Sequence, residues 1–408
     1  MTRLFARLAA LLLVGIACHA AGQTVSPTGP DAAAYGQAAG YPVPSPATPI
    51  DAIQPSQLVG FHSRYDEYRR LRTVPTSAIP SPLKRELPEL ELSYEHNGQV
   101  STIQDYLRRH PVTGLLVARG DAVLFEQYQY ARNERHRMLS HSMAKTVLGL
   151  LVGAALEDGS ISSLEDPVEK YVHELQGTEF GVTPIRALLL MSSGISFVEN
   201  YRPDDDVSKL AKGLMAPGAP GSLQTVRQFN QRAAPPGTRF SYSSADSQVL
   251  GMVLRRAVGM PLTEYLSKRI WMPLGAEADA GWELDTTGQE MTFCCMVARL
   301  RDWARLGLML ANDGRWNGRQ VVARQWLHEM AKPDRARNSH YGYQTWVVNE
   351  SRGQIELRGI LGQFVLVDPV TRLVLVQTAV QLQANDAKAN AELHALWHAL
   401  IEKYGSAR

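Results

Sequence analysis

From Met143 to Leu156 the chain is almost wholly apolar, and Lys145 is the one charged side chain there. A run this apolar predicts a helix buried on all sides, and Asp158-Gly159 supplies its stop signal. Just upstream the pattern is that of strands. Gly114 to Ala118 and Ala122 to Tyr128 flank the turn Arg119-Gly120-Asp121 and predict a hairpin. Strand-like runs return late, at Tyr343 to Val348, at Gln363 to Val367 and at Leu373 to Gln377, the last two joined by Asp368-Pro369-Val370-Thr371. Ala391 to Tyr404 predicts a closing helix. Between these ends, 160–300 reads as mostly helical, for example Ile185 to Met191 and Ser247 to Val258, broken at Asp166-Pro167, Pro217-Gly218 and Pro235-Pro236-Gly237. Asp302 to Asn312 continues as an amphipathic helix.

Strands at both ends around a helical middle predict an α+β fold. One antiparallel sheet is built from N- and C-terminal segments and flanked by helices, with a mostly helical insertion. The sheet lobe covers about 57–157 and 300–408, and the helical lobe about 158–299. The buried helix lies at their seam, where ligands bind in two-lobed proteins.

The first 20 residues have the form of a secretory signal: Arg3 and Arg7, an apolar Leu8 to Ala17 too short to span a bilayer, then Cys18-His19-Ala20. This predicts export to the periplasm or the medium. A lipid anchor on Cys18 is disfavoured by Gly15, which stands where a large aliphatic residue is usual. Residues 21–56, rich in Ala, Pro, Gly and Ser, read as a disordered linker. The formal charge of +2 falls to about zero without Arg3 and Arg7, so no pull toward nucleic acid is expected. No membrane span is expected, and oligomeric state is not legible. Cleavage after Ala20 leaves Cys294 and Cys295. Adjacent Cα atoms, about 3.8 Å apart, are closer than ordinary disulfides allow. These two are expected as free thiols in a packed helix.

The candidate chemistry sits at the mouth of the buried helix. Ser142 and Lys145 are three residues apart and share a helical face. Burial lowers a lysine's pKa, and a neutral lysine beside a serine is a base beside a nucleophile. A second Ser-x-x-Lys, Ser81-Pro82-Leu83-Lys84, lies in a proline-rich loop without an apolar helix behind it. Other motifs fail. Gly194-Ile195-Ser196-Phe197-Val198 lacks the last glycine of a nucleophile elbow. His173-Glu174 and His328-Glu329 each lack a zinc helix's second histidine. No phosphate loop is present, and neither a metal nor a cofactor is expected. Tyr242, in Phe240-Ser241-Tyr242-Ser243-Ser244-Ala245-Asp246, sits where a loop meets a helix. Leu357-Arg358-Gly359-Ile360-Leu361-Gly362-Gln363 opens a late strand whose glycines permit close backbone approach.

In order, Ser-x-x-Lys, Tyr242-Ser243-Ser244 and a glycine-bearing strand resemble the serine β-lactamase and penicillin-binding superfamily over roughly residues 110–408. Ser142 to Tyr242 spans 100 residues and Tyr242 to Gly359 spans 117. Gly153 to Gly159, Leu188 to Gly194 and Arg301 to Gly307 add to the likeness. Tyr242-Ser243-Ser244-Ala245, Gly359-Ile360-Leu361-Gly362-Gln363 and Glu199-Asn200-Tyr201 look most like the class C-like 6-aminohexanoate-dimer hydrolase branch.

The resemblance implies that Ser142 forms an acyl-enzyme, Lys145 takes its proton, and Tyr242 relays a proton to the leaving group. It implies an oxyanion hole from the backbone N–H groups of Ser142 and Ile360. Tyr201, Ser244 and Gly359 would contact substrate. The third motif departs from the usual Lys-Thr-Gly: Leu357 removes the cation, and strand alternation turns Arg358 to the opposite face. Ser244 stands where asparagine is usual. Both changes favour a small amide or ester substrate. The alternatives are a β-lactamase or D-alanyl-D-alanine peptidase, and a non-catalytic binder of cell-wall peptides.

Overall fold

The computed structural model describes residues 28–46, 48, 52–334 and 339–405. The expected signal segment and Cys18 lie outside the described residues. Along the chain, helix α1 (Pro55–Ser63), strands β1 (Leu71–Val74) and β2 (Lys84–Arg85), the hairpin β3 (Ser93–His96) and β4 (Gln99–Thr102), and α2 (Ile103–Arg109) come first. The expected hairpin follows as β5 (Val112–Arg119) and β6 (Ala122–Tyr128), then β7 (Arg137–Leu139) and the buried α3 (Ala144–Glu157). Short helices α4 (Ile185–Leu189), α5 (Asp206–Met215), α6 (Ser222–Val226), α7 (Ser244–Val258) and α8 (Leu262–Leu266) precede β8 (Ala280–Glu283) and β9 (Met296–Arg299). The chain continues through α9 (Leu300–Ala311), the hairpin β10 (Arg315–Trp316) and β11 (Arg319–Gln320), and α10 (Arg324–Met330). It ends with β12 (Trp346–Asn349), β13 (Gln354–Gly359), β14 (Gln363–Asp368), β15 (Leu373–Ala379) and α11 (Ala387–Gly405).

The main sheet has the order β12-β13-β14-β15-β5-β6-β2. Every neighbour pair is antiparallel except β2 with β6 at one edge. The N-terminal hairpin therefore joins the C-terminal strands at β15–β5, as the two-ended pattern requires. Alternation along the strands divides the core. Val365, Val367, Val374 and Val376 face α3 and α9. Leu366, Leu373 and Leu375 face α2 and α11.

Two expectations need correction. The stretch 160–300 is not mostly helical. It contributes β8 and β9 to a second sheet of order β1-β8-β9-β7. All four β8 residues are buried, so the strand lacks the polar alternation that marks a half-exposed one. Nor is 28–46 an unpacked linker. Tyr35 and Tyr41 meet the Tyr130 ring edge-on at 5.4 and 5.8 Å, and Tyr130 donates to the Pro30 carbonyl at 2.7 Å. Ala32, Tyr35 and Tyr41 are buried with Val380. Aromatic side chains bury enough area to offset the ordering of a Pro- and Ala-rich segment.

Candidate active site

Ser142 sits in a short 3-10 turn, His141–Met143, that leads into α3. The turn is fixed from both sides. Ser140 N–H donates to the Met296 carbonyl at 2.8 Å, and Met296 N–H donates back to Ser140 Oγ at 3.1 Å, tying the turn to β9. On the other side the end of β13 presses against it: a Cβ on Gly359 would lie 2.4 Å from the Ser140 carbonyl oxygen and 3.1 Å from His141 Cβ. Only glycine allows that approach, and it brings Gly359-Ile360 beside the Ser142 turn. His141 has φ 44°, a left-handed conformation uncommon outside glycine.

Lys145 is 1% exposed. Its Nζ donates to Ser142 Oγ at 3.0 Å, to Ser244 Oγ at 3.2 Å and to the Phe293 carbonyl at 2.8 Å. Burial pulls its pKa down to about 8, and the Glu199 carboxylate opposes that fall. Tyr242 lies against the same amine, with Nζ 4.9 Å from its ring centroid. Burial and the Glu199 charge push the Tyr242 phenol well above its ordinary value, while the Ser142 hydroxyl and the Arg358 guanidinium pull it back. Tyr242 stacks on Trp346 at 5.7 Å, and Tyr341 meets both rings edge-on. Arg358 lies across the β13 strand from Leu357, as alternation predicts, and covers the Trp346 ring at 5.0 Å. It also pairs with Glu356.

Glu199 joins the remaining groups. It accepts from Ser244 N–H at 2.7 Å and Ser244 Oγ at 2.9 Å, and from the Tyr201 hydroxyl at 3.0 Å. The carboxylate thus caps the first turn of α7, where the helix dipole favours negative charge. Ser244, expected to contact substrate, is 1% exposed, and its hydroxyl is occupied between Lys145 and Glu199. Tyr201 is half-buried, with φ 57°. Sequence reasoning assigned no role to Glu199, the Phe293 carbonyl or Trp346. An acid two residues before Tyr201 was a usable signal for the first; a backbone carbonyl offers none.

Cys294 and Cys295 are disulfide-bonded to each other, with Cα atoms 3.7 Å apart. They lie in a turn rather than a helix, and Cys295 takes φ 72°. The expectation of free helical thiols fails because an irregular turn permits what helical geometry forbids. Among the described residues, one group of three possible metal donors converges, Glu283 with these two cysteines. The sulfurs are bonded to each other and offer no thiolate. A shallow groove of about 420 Å³ near His328, Lys332 and Arg352 lies elsewhere and includes none of the Ser142 cluster.

The sequence model of the Beta-lactamase family matches residues 100–399. The chain belongs to the beta-lactamase family. It is a serine hydrolase of that family, with the α+β fold class expected from the sequence. It is 28% identical over 371 residues to the 6-aminohexanoate-dimer hydrolase of Paenarthrobacter ureafaciens, covering 86% of this chain and 91% of that protein. Its fold matches the solved structure of a Bacillus anthracis protein assigned as a 6-aminohexanoate-dimer hydrolase, with TM-score 0.76, 22% identity, and 85% and 94% of the two chains covered. A second match, EstCE1, a hydrolase with promiscuous acyltransferase activity, has TM-score 0.58 and 18% identity over 73% and 96% of the chains. Within the family, the chain is thus similar to 6-aminohexanoate-dimer hydrolases along most of its length. No helix among the described residues is long and apolar enough to cross a membrane.

Proposed function

We propose that this hydrolase cleaves a small amide or ester through an acyl-enzyme on Ser142. The observation that carries the reading is the buried Lys145 amine 3.0 Å from Ser142 Oγ, its pKa brought down to about 8. Roughly a tenth of such a lysine is neutral at pH 7, against less than a thousandth of an exposed one. Ser142 Oγ attacks the carbonyl carbon and passes its proton to Lys145 Nζ. The C–N or C–O bond breaks, and Tyr242 carries a proton to the departing amine or alcohol. Water then adds to the acyl carbon, and Ser142 recovers its proton.

Ser142 N–H and Ile360 N–H act as the oxyanion hole. The tight seating of Gly359 on the Ser140–His141 backbone supports that pairing, and loss of one such donor typically costs about 10²–10³ in rate. Ser244 positions Lys145, and Tyr201 and Gly359 line the substrate side. Leu357, in place of a lysine, leaves no cation of that strand face for a β-lactam carboxylate. The reading includes export, on Arg3, Arg7 and the Leu8 to Ala17 run. The Cys294–Cys295 bond suits an oxidising compartment, and N-terminal sequencing of the exported protein tests cleavage after Ala20.

The central test treats wild type and Ser142→Ala with a p-nitrophenyl ester series, short linear amides and a fluorophosphonate probe. Labelling and turnover lost together in the variant support the acyl-enzyme. A wild type that neither labels nor turns over any of them overturns it. Preferential acylation by penicillin would favour the β-lactam-recognising alternative.

A further inference from the structure

The His141 side chain, on the residue before the nucleophile, is held from outside the region the family model matches. His62, on α1, is 2% exposed. Its Nδ1 lies 2.8 Å from the Leu58 carbonyl oxygen, and its Nε2 lies 2.9 Å from His141 Nε2. A carbonyl only accepts, so His62 Nδ1 carries a proton and donates. Burial holds the His62 pKa down at about 4 and that of His141 well below its ordinary value. Both rings are therefore neutral at pH 7. Neutral His62 protonated at Nδ1 has a bare Nε2, which accepts from His141 Nε2–H. The chain of bonds runs from the α1 backbone through two imidazoles to a left-handed residue.

The backbone at His141 is costly and needs such a hold. φ at His141 sets the angle at which β7 enters the run carrying Ser142 and Lys145, and so where Ser142 lies against Gly359-Ile360, since the residues that follow are locked in a buried helix. The opposite wall, Gly359 against the Ser140 carbonyl, prevents relaxation on one side only. We propose that His62 is a positioning residue for the nucleophile: its imidazole anchors the His141 side chain, and through it the left-handed turn that seats Ser142 against Gly359-Ile360. α1 is thus part of the catalytic apparatus, although it lies upstream of the matched residues 100–399.

The inference rests on Ser142 being the nucleophile, and the test separates the two. Wild type, His62→Phe and His62→Gln are compared by ester kinetics, fluorophosphonate labelling rate and thermal melting. Phenylalanine fills the site without an acceptor; glutamine offers an amide oxygen at similar reach. His62→Phe is expected to lower kcat roughly 10- to 100-fold, the scale of a misplaced reacting group, with KM little changed. His62→Gln is expected to recover most of kcat and of the labelling rate even where its melting temperature equals that of His62→Phe. Unchanged kcat in His62→Phe overturns the inference. So does equal loss in both variants, which would mark His62 as packing. If His62→Phe does not fold, His62→Gln decides alone: near-wild-type kcat supports the inference, and a tenfold loss in a folded His62→Gln overturns it. A wild type that fails to label overturns the acyl-enzyme reading instead.

Discussion

Glu199→Gln tests the electrostatics of the site most directly. Two hydrogen bonds meeting at Ser244 Oγ, of 3.2 and 2.9 Å, hold Glu199 Oε1 within about 6 Å of Lys145 Nζ. At an effective dielectric of 20, opposite charges at that range interact by about 3 kcal/mol, or roughly two pKa units. Glu199 is partly exposed, and screening by solvent reduces this to between about one and two units. The direction is fixed by chemistry: the carboxylate favours the charged amine, so removing it lowers the Lys145 pKa.

A second effect has the same sign. In the variant, the oxygen of the introduced amide would still accept from Ser244 N–H, but its NH₂ would donate to Ser244 Oγ. The hydroxyl proton would then point to Lys145, which accepts only when neutral. The acid limb of kcat/KM, where activity rises as Lys145 loses its proton, is expected near pH 8 in wild type and between about 6 and 7 in the variant. At pH 7 the variant therefore gains activity relative to its own plateau, while that plateau falls because a weaker base drives the transfer less. The assay is p-nitrophenyl ester hydrolysis from pH 5 to 10, read at the isosbestic wavelength. An acid limb that stays at pH 8, or moves upward, would refute the assignment of Lys145 as the titrating base.

Gly359→Ala places a methyl 2.4 Å from the carbonyl oxygen of Ser140, a residue whose N–H and hydroxyl are tied to β9. We expect kcat to fall by about 10²-fold or more as the turn is displaced, with the far-ultraviolet circular dichroism of the fold retained. Glu283 is buried, and its carboxyl is pushed up to about 7 by desolvation against the Tyr65 hydroxyl and Arg69. The folded state thus binds more protons than the unfolded state from about pH 4.5 to 7, so stability falls as pH rises through that window. Glu283→Gln removes this term, and its melting temperature relative to wild type should be higher at pH 8 than at pH 4. An equal difference at both values would contradict the raised carboxyl.

Side-chain placement was legible wherever it was written at short range. Ser142 and Lys145 lie three residues apart where a 3-10 turn enters α3, and Lys145 is conspicuous as a charge in an apolar run. Tyr242 was legible through its place at a loop–helix junction. Backbone and long-range partners were not. The Phe293 carbonyl is a group every residue carries, and His62 meets His141 across 79 positions that no periodicity links. Fully buried β8 has no alternation to betray it. The Tyr35 and Tyr41 contacts were masked by the prolines and glycines around them, and the Cys294–Cys295 bond by a distance rule that assumes regular backbone. The sheet's topology was readable because apolar strand runs occur at both ends of the chain and nowhere comparable between.

The pairing of β5 with β15 also orders events in time. Residues about 250 positions apart lie side by side in the middle of the main sheet, a contact far more distant in sequence than those of fast-folding helical domains. During synthesis β5 and β6 emerge early, with the β5 edge unpaired until Leu373–Ala379 has left the ribosome. The nascent chain therefore carries a long apolar strand without its neighbour for most of its translation, an invitation to aggregation or chaperone capture. Only a nearly complete chain can close the sheet and bring Gly359 against the turn that carries Ser142.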